Sequence, residues 1–143
     1  HICGYAPTNA GSGFSEIGNA AYGGNDANDN SGVLKYVRLE YTGFALDDEH
    51  ESNGISFYGV GAGTQVSYVQ TYVGADDGLE FFGGTVNVTN LLAVNPDDDM
   101  FDFTQGYSGT LKNCYGVWES GYTSTEADPR GIEPDRCFLR LFD

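Results

Sequence analysis

Four nine-residue segments of this chain read as one phrase repeated: VLKYVRLEY from Val33, QVSYVQTYV from Gln65, NVTNLLAVN from Asn87 and TLKNCYGVW from Thr110. Set beneath one another, they put Leu34, Val66, Val88 and Leu111 in one column and Val37, Val69, Leu91 and Cys114 in a second. A shorter phrase follows: GISF from Gly54, GLEF from Gly78, MFDF from Met100 and, after an irregular gap, GIEP from Gly131. The first column recurs after 32, 22 and 23 residues, and the second phrase, counted at Ile55, Leu79, Phe101 and Ile132, after 24, 22 and 31. A beat in the low twenties that carries two apolar strands and Gly/Asp-rich turns is the mark of a solenoid. Val, Tyr, Phe, Thr and Gly dominate and no 3.6-residue periodicity is sustained, which excludes helical repeats. No single coil can bury its apolar face, so coils must stack at about 4.8 Å and pile equivalent side chains into columns. The expected fold is all-β: a right-handed parallel β-helix of four to five coils with irregular ends.

Alternation within the phrases assigns direction. Val37 and Leu39 point inward with Val69, Thr71, Leu91, Ala93, Cys114 and Gly116, while Arg38 and Glu40 point out. Ile55/Leu79/Phe101/Ile132 and Phe57/Phe81/Phe103 are the inward columns of the second phrase, and three stacked phenylalanines read as core. Between the two apolar columns of the first phrase lie Tyr36, Tyr68, Asn90 and Asn113. Asn tolerates left-handed backbone, so this position suits a corner with stacked amides.

Three regions follow. Residues 1–31 are turn-rich and read as an irregular arm or cap, residues 32–118 as the coils, and residues 119–143 as a last coil and tail. The Asp26, Asn28, Asn30 run starts like a calcium loop, but Gly32 comes one place late and position 12 is Val37, so Asx turns are the better reading.

With 6 basic and 21 acidic residues among 143, the formal charge is −15. That charge repels nucleic acid and anionic membranes alike. No run of 18 apolar residues and no amino-terminal signal pattern is present, so the expectation is a soluble chain, already processed or part of something longer. The acid concentrates in turns: DDEHES from Asp47, ADDG from Ala75 and NPDDDM from Asn95. These follow equivalent strands and should align along one edge, which makes Asp76, Asp77, Asp97, Asp98 and Asp99 candidate calcium ligands. Glu80, Asp102 and Glu133 form a further outward column beside Ser56, and like charges so close need solvation, protonation or a bridging cation. Cys3, Cys114 and Cys137 have no metal-site spacing. Cys114 fills a core column. Cys3 and Cys137 are then the one plausible disulfide pair, within a chain or between neighbours, in an oxidising compartment. Asn87-Val88-Thr89 is a glycosylation sequon, relevant only where the machinery exists.

The strings GSGFSEIGNAAYGG, NDNSGVLKYVRLEYTG, NGISFYGVGAGTQVSYVQ, ADDGLEFFGGTVNV and DDDMFDF together resemble segments of large secreted or surface-attached bacterial proteins, frequent in Bacteroidetes and some marine Proteobacteria, that are similar to right-handed parallel β-helices. The resemblance spans roughly residues 5–118. It implies an extracellular or cell-surface location and the solenoid fold, and it carries over no catalytic residue.

Polysaccharide cleavage would need a base near the acidic turns. Lys35, Arg38 and Lys112 lie on the other phrase, Glu80 with Asp102 makes an acid pair only by fold analogy, and His1 and His50 have no nucleophile motif beside them. Glycan binding would use Tyr72, Tyr107, Tyr115, Trp118 or Tyr122. The structural expectation asks least of the sequence: a solenoid has two unpaired strand edges that recruit another chain unless capped. The function expected is therefore a non-catalytic module of an extracellular bacterial surface assembly, stacking head to tail on copies of itself into a filament; the alternative is a carbohydrate-binding or polysaccharide-cleaving β-helix that uses calcium.

Overall fold

The computed structural model describes residues 1–44 and 51–134. Among them the strands are β1 (Ile2–Cys3), β2 (Gly13–Phe14), β3 (Ala21–Tyr22), β4 (Val33–Glu40), β5 (Ile55–Tyr58), β6 (Gln65–Tyr72), β7 (Leu79–Phe82), β8 (Asn87–Val94), β9 (Phe101–Thr104), β10 (Leu111–Val117) and β11 (Glu133–Pro134). The long strands form one parallel sheet in the order β10-β8-β6-β4, and the short ones a second in the order β1-β5-β7-β9-β11. The chain alternates between the sheets and returns one strand along each time. That is a parallel β-helix. The sole antiparallel pair among the described residues is the small β2–β3 ribbon of the amino-terminal region.

Register follows the columns. Leu34 pairs with Val66, Val66 with Val88 and Val88 with Leu111; Val37, Val69, Leu91 and Cys114 do the same. In the second sheet Ile55, Leu79 and Phe101 align, as do Phe57, Phe81 and Phe103. The phenylalanines stack with ring centroids 5.0 and 5.5 Å apart, and Tyr107 closes on Phe81 at 4.6 Å. One apolar cluster runs between the two sheets, with Phe57, Leu79, Phe81, Val86 and Val88 fully sealed from water. Each such side chain contributes roughly 1.5–3 kcal/mol by leaving water.

Burial depends on position in the stack. The inward places of β6 and β8 are buried, whereas Leu34, Val37 and Leu39 of β4 and Leu111 and Cys114 of β10 are only half-buried. Cys114 is therefore less enclosed than its column implies, because it belongs to an end strand. Ile132, expected to face inward, is 59% exposed at the end of its column.

Two columns of left-handed residues bend every coil. Tyr36, Tyr68, Asn90 and Asn113 have φ of 56°, 55°, 59° and 56°, and they interrupt the pairing of β4, β6, β8 and β10 at the same place. Asn113 Nδ2 donates to Asn90 Oδ1 at 3.2 Å, and the Tyr36 and Tyr68 rings stack at 4.9 Å. The second column, Tyr41, Val73 and Asn95 with φ of 54°, 54° and 53°, ends the long strands. It had no recognisable sequence signature.

The amino-terminal region lies along the flank of the stack. Ala6 N–H donates to Gly59 O, Pro7 O accepts from Gly84 N–H, and Asn9 N–H donates to Gln105 O, so residues 6–9 cross three successive coils as a strap. Gly83, at φ +64°, has no room for a side chain because Thr8 lies against it. The Asx turns are present: Asp26 Oδ1 accepts from Asn28 N–H at 3.0 Å and Asn30 Oδ1 from Gly32 N–H at 2.9 Å. Cys137, His50 and the turn from Asp47 to His50 lie outside the described residues, as does the whole tail after Pro134.

Candidate functional site

Each coil enters the second sheet through an acidic turn, and the ladder fixes where those acids point. Gly54 N–H donates to Asp77 O, Gly78 N–H to Asp99 O and Met100 N–H to Arg130 O, which makes Asn53, Asp77, Asp99 and Arg130 a column. Three residues on, Ser56, Glu80, Asp102 and Glu133 form the column expected from the sequence. The side chains of the first column also span coils. Asp77 Oδ1 accepts from Asp99 N–H at 2.9 Å, and Asp99 Oδ1 accepts from Arg130 N–H.

Between these columns lies a cleft of about 240 Å³ whose lining is entirely acidic. Asp76, Asp77, Asp98 and Asp99 come from the turns, and Glu80, Asp102 and Glu133 from the strand column. Glu16, from the amino-terminal region, and Glu51 complete it. One oxygen from each of Asp76, Asp77 and Asp98 lies within 4.8 Å of the others, and the same holds for Asp77, Glu80 and Asp102. The two trios share Asp77.

Burial dominates the electrostatics here. Loss of water raises Asp77 to about 9, with the Asp76 charge adding to it, and raises Asp76 to about 7, helped by Glu51 and Asp98. Glu80 is pushed well above the usual carboxylate range by burial and then by Asp77 and Asp102. Asp99 rises through burial and its hydrogen bond with Glu133, and Asp98 also rises through burial. At neutral pH several of these groups hold protons unless a cation replaces them.

A neutral side chain, Asn53, lies behind the cleft against Glu80. Its side chain is 3% exposed; Nδ2 donates to Glu80 Oε2 at 2.6 Å and to Ser56 Oγ at 3.0 Å, while Oδ1 has no hydrogen-bond partner. A buried amide oxygen left unpaired costs about 1–3 kcal/mol.

Four of the five aspartates expected from the sequence thus share the cleft, and Asp97 does not. Its carboxylate accepts from Tyr122 Oη at 3.2 Å, from Thr125 N–H at 2.9 Å and from Thr125 Oγ1, pinning the loop after β10. Glu16 was missed because it belongs to no repeat; Glu51 lies in the acidic turn that begins at Asp47 but was not singled out as a ligand. Cys3 has no disulfide partner among the described residues and packs beside Tyr22, Tyr58 and Phe82; the expected pairing with Cys137 falls outside them. Asn87 is exposed at the start of β8. Of the aromatic residues proposed for glycans, Tyr107 donates to Val86 O, Trp118 Nε1–H to Pro96 O and Tyr122 to Asp97. Tyr72 lies under the Arg38 guanidinium, and Tyr115 is exposed.

The two outer strands of the long sheet are a second feature. Among the described residues nothing pairs with the far edge of β4 or of β10. The short sheet differs at its ends, where β1 and β11 have two residues each.

No curated protein and no solved structure is significantly similar to this chain. A family described as a pectate-lyase like beta helix domain matches residues 1–138, in agreement with the parallel stack and its inward columns. The chain belongs to that family of pectate-lyase-like β-helix domains.

Proposed function

We propose that this β-helix is a non-catalytic structural module of an extracellular bacterial surface assembly and that copies of it stack end to end. The observation that carries this reading is the contrast along the first sheet: the columns buried in β6 and β8 are half-open in β4 and β10, whose outer edges have no partner among the described residues. Edges of this length are templates for another strand unless blunted. Light scattering and electron microscopy of the purified chain test it. Growth of ordered polymers with concentration is the expected result, and a chain that stays monomeric when concentrated ends the proposal.

A cation reading rests on a separate observation, the two carboxylate trios joined at Asp77 and the unpaired Asn53 oxygen beside them. Calcium takes six to eight oxygens, carboxylate and amide alike, at 2.3–2.6 Å. Asp76, Asp77, Asp98, Glu80 and Asp102 would hold it, with Asn53 as a neutral donor. The ion would tie neighbouring coils together rather than polarise a substrate. Calcium should raise Tm by several degrees and EDTA should reverse the rise; an unchanged Tm under both removes calcium from the account.

A further inference from the structure

We infer that the amino-terminal end of the stack is a docking slot for one extended strand of a separate partner chain, which adds in parallel to the free edge of β4. The slot comes from a step between the two sheets. β1 pairs with β5 through Ile2–Phe57 and Cys3–Tyr58, so the short sheet runs one strand further than the long sheet, which ends at β4. Among the described residues no strand of the long sheet stands level with β1. The gap is therefore one strand wide, about 4.8 Å along the stack. Its wall is Ile2, half-buried against the core, and its floor is the half-buried inward row Leu34, Val37 and Leu39. A second copy cannot fill the gap with β10, because its β11 would then need the edge of β5 that β1 already holds. A lone strand brings no such companion.

The exposed edge prescribes the pattern of its occupant. Continued by one strand, the ladder sets an apolar residue on Leu34, a second three places on over Val37 and a third two places later over Leu39, as Val88, Leu91 and Ala93 stand in β8. Moving this pattern by one residue turns every apolar side chain to water. The place over Tyr36 calls for left-handed backbone: Tyr36 holds φ 56°, and β8 and β10 meet the same corner with Asn90 and Asn113. Tyr36 is 79% exposed, with one ring face on Tyr68 and the other uncovered by any described ring, so an asparagine amide has a surface to lie on. Charge selects the outward residues. Lys35 Nζ donates to Gln65 Oε1 at 2.7 Å and meets no carboxylate among the described residues. An acidic residue directly after the first apolar one faces it. Arg38 and Glu40, already paired with each other, ask for an acidic and a basic neighbour in turn. The occupant is thus a strand with apolar residues at its first, fourth and sixth places, acid at the second and asparagine at the third. Its docking goes beyond the stacking reading and does not depend on it, although a seated strand also gives stacking a flush end.

The probe is a fluorescein-labelled peptide, Asn-Val-Glu-Asn-Leu-Glu-Ala-Lys, which is the β8 phrase with glutamate opposite Lys35 and Arg38 and lysine opposite Glu40. Fluorescence anisotropy with the full chain should show saturable binding, one peptide to each chain. A peptide of the same composition with its apolar residues moved by one place should not bind. Lys35→Glu leaves the core untouched and should weaken binding by roughly two- to fivefold, and lysine in place of the peptide's first glutamate should recover it. No saturable binding of the first peptide, equal binding of the shifted one, or indifference to Lys35→Glu each overturns the slot. Sedimentation velocity separates this outcome from that of stacking. Peptide bound to a chain that never polymerises supports the slot and ends the stacking reading alone. A parent dimer that excludes the peptide puts a second copy in the slot and overturns the partner strand.

Discussion

Burial, more than neighbouring charge, sets the protonation of the acidic cleft, and that has a definite sign for stability. Asp77 and Asp76 are raised to about 9 and about 7, so between about pH 4 and pH 9 the folded chain binds more protons here than the unfolded chain. Stability from these groups is complete below the unfolded value near 4 and is lost as pH rises through the folded values. The metal-free protein should therefore lose several degrees of Tm between pH 5 and pH 9, and saturating calcium, by replacing the protons, should flatten the curve. Asp77→Asn should flatten it without metal. A metal-free Tm that holds level or climbs over that range would refute the assignment of buried, protonated carboxyls. At this scale the sequence was partly readable. Equivalent turns announced Asp76, Asp77, Asp98 and Asp99, but successive aspartates in a turn point in different directions. Nothing in the run Asp97–Asp99 distinguishes the residue that pins a loop from the two that face the cleft. Glu16 reaches the cleft from the amino-terminal region, where no period orders the side chains.

The strands and their register were legible because burial imposes period-two alternation within a coil and identity of column between coils. The corners were legible only where the residue type matched the backbone. Asn90 and Asn113 suit left-handed φ; Tyr36 and Tyr68 adopt it against preference, held by their ring stack and by the column they share. Val73 is the least expected member, since a β-branched side chain at φ 54° costs about 1–2 kcal/mol. Its neighbour in the column is Asn95, whose Oδ1 accepts from Glu119 N–H and whose Nδ2 donates to Glu119 Oε2, both at 2.8 Å. Val73→Asn should relieve the strain and stabilise the chain by about 1 kcal/mol, read as a higher urea midpoint with an unchanged slope. A lower midpoint would show that packing of the Val73 methyl groups outweighs the backbone term. The flank strap was not legible for a different reason: it is held by backbone groups at Gly59, Gly84 and Gln105, and backbone bonding leaves little trace in side-chain pattern.

For the whole molecule, the stack and the charge pull in opposite directions. Two strand edges invite a second copy, yet each copy carries a formal charge of −15, so approach is opposed by long-range repulsion. End-to-end contact draws on half-buried apolar side chains and backbone hydrogen bonds at the strand edges. Salt screens that repulsion: the Debye length falls from about 30 Å at 0.01 M to about 3 Å at 1 M. Neither the backbone bonds nor the burial of Leu34, Val37, Leu111 and Cys114 is weakened by that screening. Assembly should therefore strengthen as sodium chloride rises from about 10 mM to about 500 mM, with scattered intensity growing at fixed protein concentration and in the absence of calcium. Calcium, by neutralising the cleft, should move the onset to lower salt. Assembly that dissolves as salt is added would mean the copies are held by ion pairs between the acidic cleft and basic side chains of a neighbour, a side-on contact, and not by strand edges.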